Sequence, residues 1–367
     1  MDIQAAAALR KTASELPQTA ANFQFGNNEG FEYNDGLMIS QVIPFPTVFG
    51  ARKNLFKAQV KGYEWLKLVA ENDLKSQIRT YYQQLEYLEH NAEVLARLDS
   101  IYVVFIKITE LRYRTGDTKK IDISTAETKQ GEIRLLYDQN EIWRKNAYES
   151  LKNLLQVTGD FSIASIGAYQ PLAIDQVLDS SFATKHPQVQ ALYQEAHIIE
   201  QQKHVERAEG LPEFTLGYNN VSLVGPHSKN GVEKFYGRGK RFSYFDVGIS
   251  IPISFGATKA RVRSLDYQKQ SAELAAQWQE TQLQTDLSNA IRQYEQRVSQ
   301  YRYFKEEALV NADELIQAAL LGYRTGDISY VEYLFAVQTA TDTQLNYLKS
   351  IQQVNESVSA IYSLINN

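Results

Sequence analysis

Cysteine is absent from the 367 residues, methionine occurs twice and proline eight times. Without thiols the chain has no disulfide and no thiolate metal site, which suits an oxidising compartment without requiring one. So few prolines, beside abundant Gln, Leu, Ala and 23 tyrosines, leave room for long helices. No stretch concentrates Lys and Arg as a nucleic-acid-reading face would, and a formal charge of −5 argues against a nucleic-acid partner.

Long apolar runs are missing too. The longest in the helical stretches, Ile101–Ile106, is far shorter than the roughly 18–20 residues of a spanning helix. The opening residues MDIQAAAALRKTASELPQ lack the charged start, apolar middle and cleavage site of a secretory signal. They read as the start of a cytosolic chain, or of a mature or truncated form of an exported one. No metalloprotease helix, nucleophile elbow or phosphate-binding loop occurs, so an enzyme is not expected.

What is present is a duplication. LPQTAANFQFG from Leu16 answers LPEFTLG from Leu211, and the Phe-Gly-Ala step at Phe49–Ala51 answers that at Phe255–Ala257. The pentapeptide YRTGD occurs at Tyr113–Asp117 and again at Tyr323–Asp327. The order predicts a first repeat at 1–160, with a β-hairpin at 17–46 and a long helical hairpin at 51–156. A connector follows at 161–185. The second repeat, 186–367, holds a helix at 186–210, a β-hairpin at 211–254 and a long helical hairpin at 257–366.

The long stretches carry heptads. Tyr81, Leu85, Leu88, Ala92, Leu95, Leu98, Tyr102 and Phe105 recur at spacings of three and four. So do Leu287, Ile291, Tyr294, Val298, Tyr301, Ala308, Ala312, Leu315 and Ala319, with Lys305 as the interruption. That predicts coiled-coil seams. In YRTGD the glycine suits a left-handed helix end, so each copy reads as the tip of a helical hairpin. Ser329 with Glu332 forms a candidate capping box after the second tip.

The strands alternate. Phe245, Val247, Ile249, Ile251 and Ile253 share one apolar face, while the positions between them are more polar. Such a face suits an ordinary half-buried hairpin or a lipid-facing strand. Two hairpins give four strands, too few to close a barrel alone, so a lipid-facing sheet requires several copies.

These pieces resemble the outer-membrane efflux proteins of Gram-negative bacteria, the TolC-like channel-tunnels, and most resemble the heavy-metal CusC/CzcC kind. The resemblance rests on His186–Gly217, on the Phe-Gly-Ala steps and on the run from Tyr323 to Asn366, and covers about residues 10 to 367. The first helix is shorter than the family's, and the N-terminal Cys of lipidated members is lacking.

The resemblance implies an α+β membrane protein: a homotrimer whose twelve strands form one outer-membrane barrel, continued by an α-helical periplasmic tunnel. Its function would be a passive exit duct for heavy-metal cations or small toxic compounds. Its partners would be a periplasmic adaptor, an inner-membrane RND-type pump and outer-membrane lipid. Asp122 and Glu332, each six residues beyond a tip glycine, would form the tunnel constriction. Arg114, Thr115, Gly116, Arg324, Thr325 and Gly326 would dock the adaptor. Local chemistry offers plainer roles: the acids as helix caps, the tip residues as turn formers. His197 and His204 lie seven apart on one helical face but make a poor metal site, so no metal and no cofactor are expected. The alternative from the residues alone is a soluble coiled-coil scaffold or adaptor with a small β domain; its strand faces would pack inward.

Overall fold

A computed structural model describes residues 1–27, 32–163, 169–174, 181–253 and 256–365. It contains two compact units, each drawn from two separate stretches: Met1–Leu68 with Pro187–Gln279, and Val69–His186 with Glu280–Asn367.

The first unit begins with helix α1 (Asp2–Leu9), which tightens into a 3-10 turn at Arg10–Ser14. Strands β1 (Ala20–Gly26) and β2 (Asn34–Ile43) follow. Pro44 and Pro46 then end the strand, and helix α2 (Thr47–Thr115) starts immediately after them. Helix α5 (Pro187–Glu209) leads through Leu211 and Pro212 into β3 (Glu213–Ser222). The return strand is β6 (Arg241–Ser250), and helix α6 (Gly256–Tyr303) begins beyond it. Between β3 and β6 stands a small hairpin of β4 (Gly225–Lys229) and β5 (Val232–Tyr236).

The main sheet has four antiparallel strands in the order β1-β2-β3-β6. Registers such as Phe23↔Leu37, Ile39↔Tyr218 and Tyr218↔Phe245 carry one face across all four strands. Two close approaches fix the helices of this unit. A Cβ at Gly62 of α2 would lie 3.0 Å from Ile198 of α5, so the glycine is what lets the helices meet there. Lys203 of α5, nearly buried, bonds Glu200 at 2.7 Å and Asp266 of α6 at 2.8 Å. The Lys203 and Lys269 ammonium groups, acting against burial, draw the Glu200 carboxyl down to about 2.

The second unit is helical. It takes α2 from Val69 onward, α3 (Lys120–Leu155), the short α4 (Phe182–Lys185), the rest of α6, a π turn at Phe304–Ala308, α7 (Leu309–Thr325) and α8 (Tyr330–Ile365). No proline falls within α2, α3, α6, α7 or α8, so nothing removes a ladder donor along them. The predicted seam is the core: Leu85, Leu88, Leu95, Leu98, Tyr102 and Phe105 are all buried. Leu85 and Leu88 pack on Ala147 and Leu151 of α3. Leu98, Tyr102 and Phe105 pack on Ala126, Ala319, Tyr323, Tyr333 and Val337. Each such side chain contributes roughly 1.5–3 kcal/mol by burial. Asn140 fixes register, accepting from Asn91 and donating to the Leu88 carbonyl, each at 2.8 Å.

The structure refines the expectations in three places. The heptad is interrupted at Lys305 as expected, and a π turn sits there. Its i→i+5 bonds rotate the chain less per residue. Beyond it Ala312 and Ala319 of the expected seam are buried, whereas Leu315 is exposed and the neighbouring Ile316 half-buried. The expected hairpin at 211–254 is the β3–β6 pair, and its connection carries the additional hairpin β4–β5. Ile251 and Ile253 follow β6 rather than lie in it, for Pro252 has no N–H to give the ladder. The connector at 161–185 lies partly outside the described residues.

Candidate functional site

Two regions hold the residues singled out from the sequence. The first is the pair of helical hairpin tips. At the first, Gly116 closes α2 with φ 84°, and the Asp117 N–H donates to the Arg112 carbonyl at 2.8 Å. At the second, Gly326 closes α7 with φ 85°, and the Asp327 N–H donates to the Gly322 carbonyl at 2.8 Å. Both are six-to-one closures with a left-handed residue after the helix. The hydroxyls of Thr115 and Thr325 donate to Asp117 and Asp327 respectively, locking each turn. Nothing stands within 4 Å of a Cβ built on either glycine, so backbone conformation alone requires glycine there. Arg114 and Arg324 are exposed and make no ion pair with any described residue.

The acids after the tips cap helices. Asp122 accepts from the Lys119 N–H at 3.1 Å and from the Thr118 hydroxyl. Glu332 accepts from the Ser329 N–H at 2.7 Å, while its own N–H donates to the Ser329 hydroxyl at 3.3 Å. This is the reciprocal capping box. The backbone N–H and then the hydroxyl of Ser329 hold the Glu332 carboxyl below its usual range.

One functional residue escaped the sequence reading. Arg112, one residue before the first YRTGD, donates to the carbonyl of Tyr323 in the second at 2.7 Å. Its guanidinium also lies 4.6 Å from the Tyr323 ring centroid. Thr109 and the Tyr323 hydroxyl meet at 3.3 Å, and Phe105 abuts the ring edge-on at 5.5 Å. The two tips of one chain are thus clamped together. No local signal marks this, since the partners are 211 residues apart.

The second region is the sheet. Phe245, Val247 and Ile249 are exposed (81%, 73% and 61%), as are Leu216 and Ile39 on the same face. Ile251 and Ile253 are exposed beyond the strand. On the other face lie Asn22, Gln24, Ser40, Thr215, Asn219, Asp246 and Ser250. There the Asp246 carboxylate lies over Gly217 and accepts from the Asn219 amide, using space that only a glycine leaves. The first face is the more apolar of the two, for the second mixes these polar residues with Met38, Val42, Phe242 and Tyr244.

His204 pairs with Glu200 at 3.4 Å, whereas His197 lines a small cleft with Lys57, Lys61 and Gln194. Among the described residues no cluster of His and acidic side chains has a metal-holding arrangement. No described helix is long and apolar enough to cross a membrane.

Comparison with known proteins agrees with this architecture. The model of the family described as "Outer membrane efflux protein" matches residues 180–367. "Toxin and drug export protein A" of Aggregatibacter actinomycetemcomitans is 22% identical over 353 residues, 93% of this chain and 74% of that protein. A CusC crystal structure superposes with TM-score 0.81 at 14% identity, over 99% of this chain and 86% of its own. The Campylobacter jejuni CmeC outer membrane channel gives 0.79 at 14%, over 100% and 81%. The family is one of channels rather than catalysts, and its setting in the outer membrane excludes the soluble scaffold. With over half its length matched and the fold of the solved channels, the chain belongs to the outer membrane efflux protein family and is an outer-membrane efflux channel.

Proposed function

We propose that three copies of the chain close one twelve-stranded barrel and form the exit duct of a tripartite efflux assembly. The observation that carries this is the open four-stranded sheet. Its edge strands β1 and β6 have no outer partner among the described residues, and one of its faces is exposed and apolar. In a bilayer unpaired strand edges are untenable, and pairing β6 of one copy with β1 of the next removes them. Phe245, Val247, Ile249, Ile251 and Ile253 then face lipid. The structural repeats 1–160 and 186–367 each supply one helical hairpin, giving six tips per trimer.

In this assembly Arg114, Thr115, Gly116, Arg324, Thr325 and Gly326 meet a periplasmic adaptor, and an inner-membrane RND-type pump drives transport. Asp122 and Glu332 converge at the entrance, where six carboxylates favour cations. The cargo is heavy-metal cations or small toxic compounds; the name of the Aggregatibacter relative, a toxin and drug exporter, supports the second.

Val247→Arg tests the lipid face. An arginine at the bilayer midplane costs about 2–4 kcal/mol, so trimer assembly in vesicles and resistance to urea unfolding should fall. Unchanged assembly in lipid would overturn the assignment.

A further inference from the structure

On β3 and β6 the apolar face stops short of the far end of the sheet, whereas on β1 Phe23 and Phe25 stay exposed up to it. Going away from the helices, Ile249, Val247 and Phe245 of β6 give way to Ser243 and Arg241 on the same face. A hydrogen-bonded tier begins there. Ser243 meets the Tyr218 hydroxyl at 3.2 Å and accepts from Asn220 at 2.8 Å. Arg241 donates to Asn220 at 2.6 Å and pairs with Asp35, which also accepts from Ser222 at 2.9 Å. A face that turns from exposed apolar side chains to mutually satisfied polar ones marks a membrane–water boundary.

Just past this boundary the chain turns basic. Residues 227 to 241 contain Lys229, Lys234, Arg238, Lys240 and Arg241 against the single acid Glu233, in a protein of charge −5. Arg241 is spent on Asp35. Lys234, Arg238 and Lys240 form no ion pair with any described residue. The Arg238 guanidinium lies 4.7 Å from the ring centroid of the exposed Tyr33. Stacking of this kind holds the planar fork by its face and leaves its N–H edge free for an anion, the geometry suited to phosphate. On β5 the Lys234 ammonium lies 5.7 Å from the Tyr236 ring centroid, and Val232 and Phe235 are exposed on that strand.

We propose that Arg238, with Lys234 and Lys240, binds the phosphate groups of membrane lipids at the end of the barrel remote from the helices. This rests on the lipid-facing reading of the sheet: the basic residues lie in the connection between β3 and β6 at the far end of that sheet, where Tyr236 packs on Phe242 at 5.4 Å, and their charge complements a phosphate-bearing surface. The apolar side chains beside it suit the boundary between acyl chains and headgroups.

The test uses the full chain purified in neutral detergent, with lipid binding counted by native mass spectrometry. Phosphatidic acid should bind about 10-fold or more tightly than phosphatidylcholine. Replacing Lys234, Arg238 and Lys240 together by Gln should remove most of that preference, and Arg238→Lys alone part of it. Equal affinity of the unaltered protein for the two lipids, or a preference that survives the triple replacement, overturns the proposal. Complete competition by millimolar inorganic phosphate overturns it as well, since the site would then serve a soluble anion. Flotation with phosphatidylcholine vesicles separates this from the reading beneath it. Unaltered protein that fails to float refutes the lipid-facing sheet; floating protein without lipid preference refutes only the rim.

Discussion

The same five residues build both hairpin tips, and the two tips have unlike surroundings. Tyr323 is 1% exposed, wedged among Phe105, Thr109, Arg112 and Tyr333, whereas Tyr113, its twin in the sequence, is 45% exposed. The backbone closures agree to within a degree in φ at Gly116 and Gly326. Local sequence therefore sets the turn, and what packs against it sets everything else. The clamp itself is unequal for a reason visible in the duplication: the residue preceding YRTGD is Arg112 in one copy and Gly322 in the other. A chain can offer a guanidinium from its first tip to its second, and none in return.

The largest effect should come from making one substitution in both copies. Tyr323→Ala empties a filled aromatic site and should cost roughly 3–5 kcal/mol, read as a lowered urea midpoint and faster amide exchange in α7 and α8. Tyr113→Ala should cost less than about 1 kcal/mol in a dissociated chain. An equal loss at Tyr113 in the assembled protein would show that a neighbouring copy buries it.

Next in size is the clamp. Arg112→Met keeps much of the stem but removes a charged hydrogen bond and the stacking on Tyr323. The expected loss is about 2 kcal/mol. Exchange protection should fall at both tips together, because the bond joins them. Protection lost only around α2 would mean that the Phe105 cluster, not Arg112, couples the hairpins.

Gly116→Val and Gly326→Val should each cost about 1–3 kcal/mol, since a β-branched residue is strained at φ near +85°. Here the tips should respond alike, for neither has a neighbour within 4 Å of the new Cβ. Adaptor binding by each variant, measured beside its melting temperature, tests docking at the tips. Unchanged affinity with an altered turn would remove Gly116 and Gly326 from the docking surface.

This contrast also marks what the sequence can reveal. The duplication, the glycine turns, the seam from Leu85 to Phe105 and the Ser329–Glu332 box depend on neighbours within a few residues, and all are legible. The alternation from Phe245 to Ile249 is legible for the same reason. The π turn at Phe304–Ala308 is not, because no residue type in it marks i→i+5 bonding. The β4–β5 hairpin hides in a short, polar, glycine-bearing stretch that has no buried face to impose alternation. Arg112 and Tyr323 are joined only by the fold, so periodicity cannot find them. The same limit applies to Asp122 and Glu332: spacing puts each near a tip, but only packing between copies decides whether they converge.

The smallest predicted effect separates the two roles of those acids. Asn and Gln still accept a hydrogen bond from a helix N-terminus, so Asp122→Asn with Glu332→Gln should change stability by only a few tenths of a kcal/mol. The charge, however, is gone. Should the carboxylates also line the entrance, cation block or cation selectivity in single-channel recordings will fall while the trimer stays intact. An unaltered cation response from a folded, trimeric double variant leaves both residues as caps alone. Acid supplies a related comparison. Because bonds from Ser329 depress the folded-state value of Glu332, its contribution is complete above its usual value of 4.5 and is lost as the pH falls through the depressed value. Amide-exchange protection near Ser329, taken relative to the intrinsic rate at each pH, should therefore fall over that acid range in the native protein. In the Glu332→Gln variant, which has no proton to take up there, that fall should disappear.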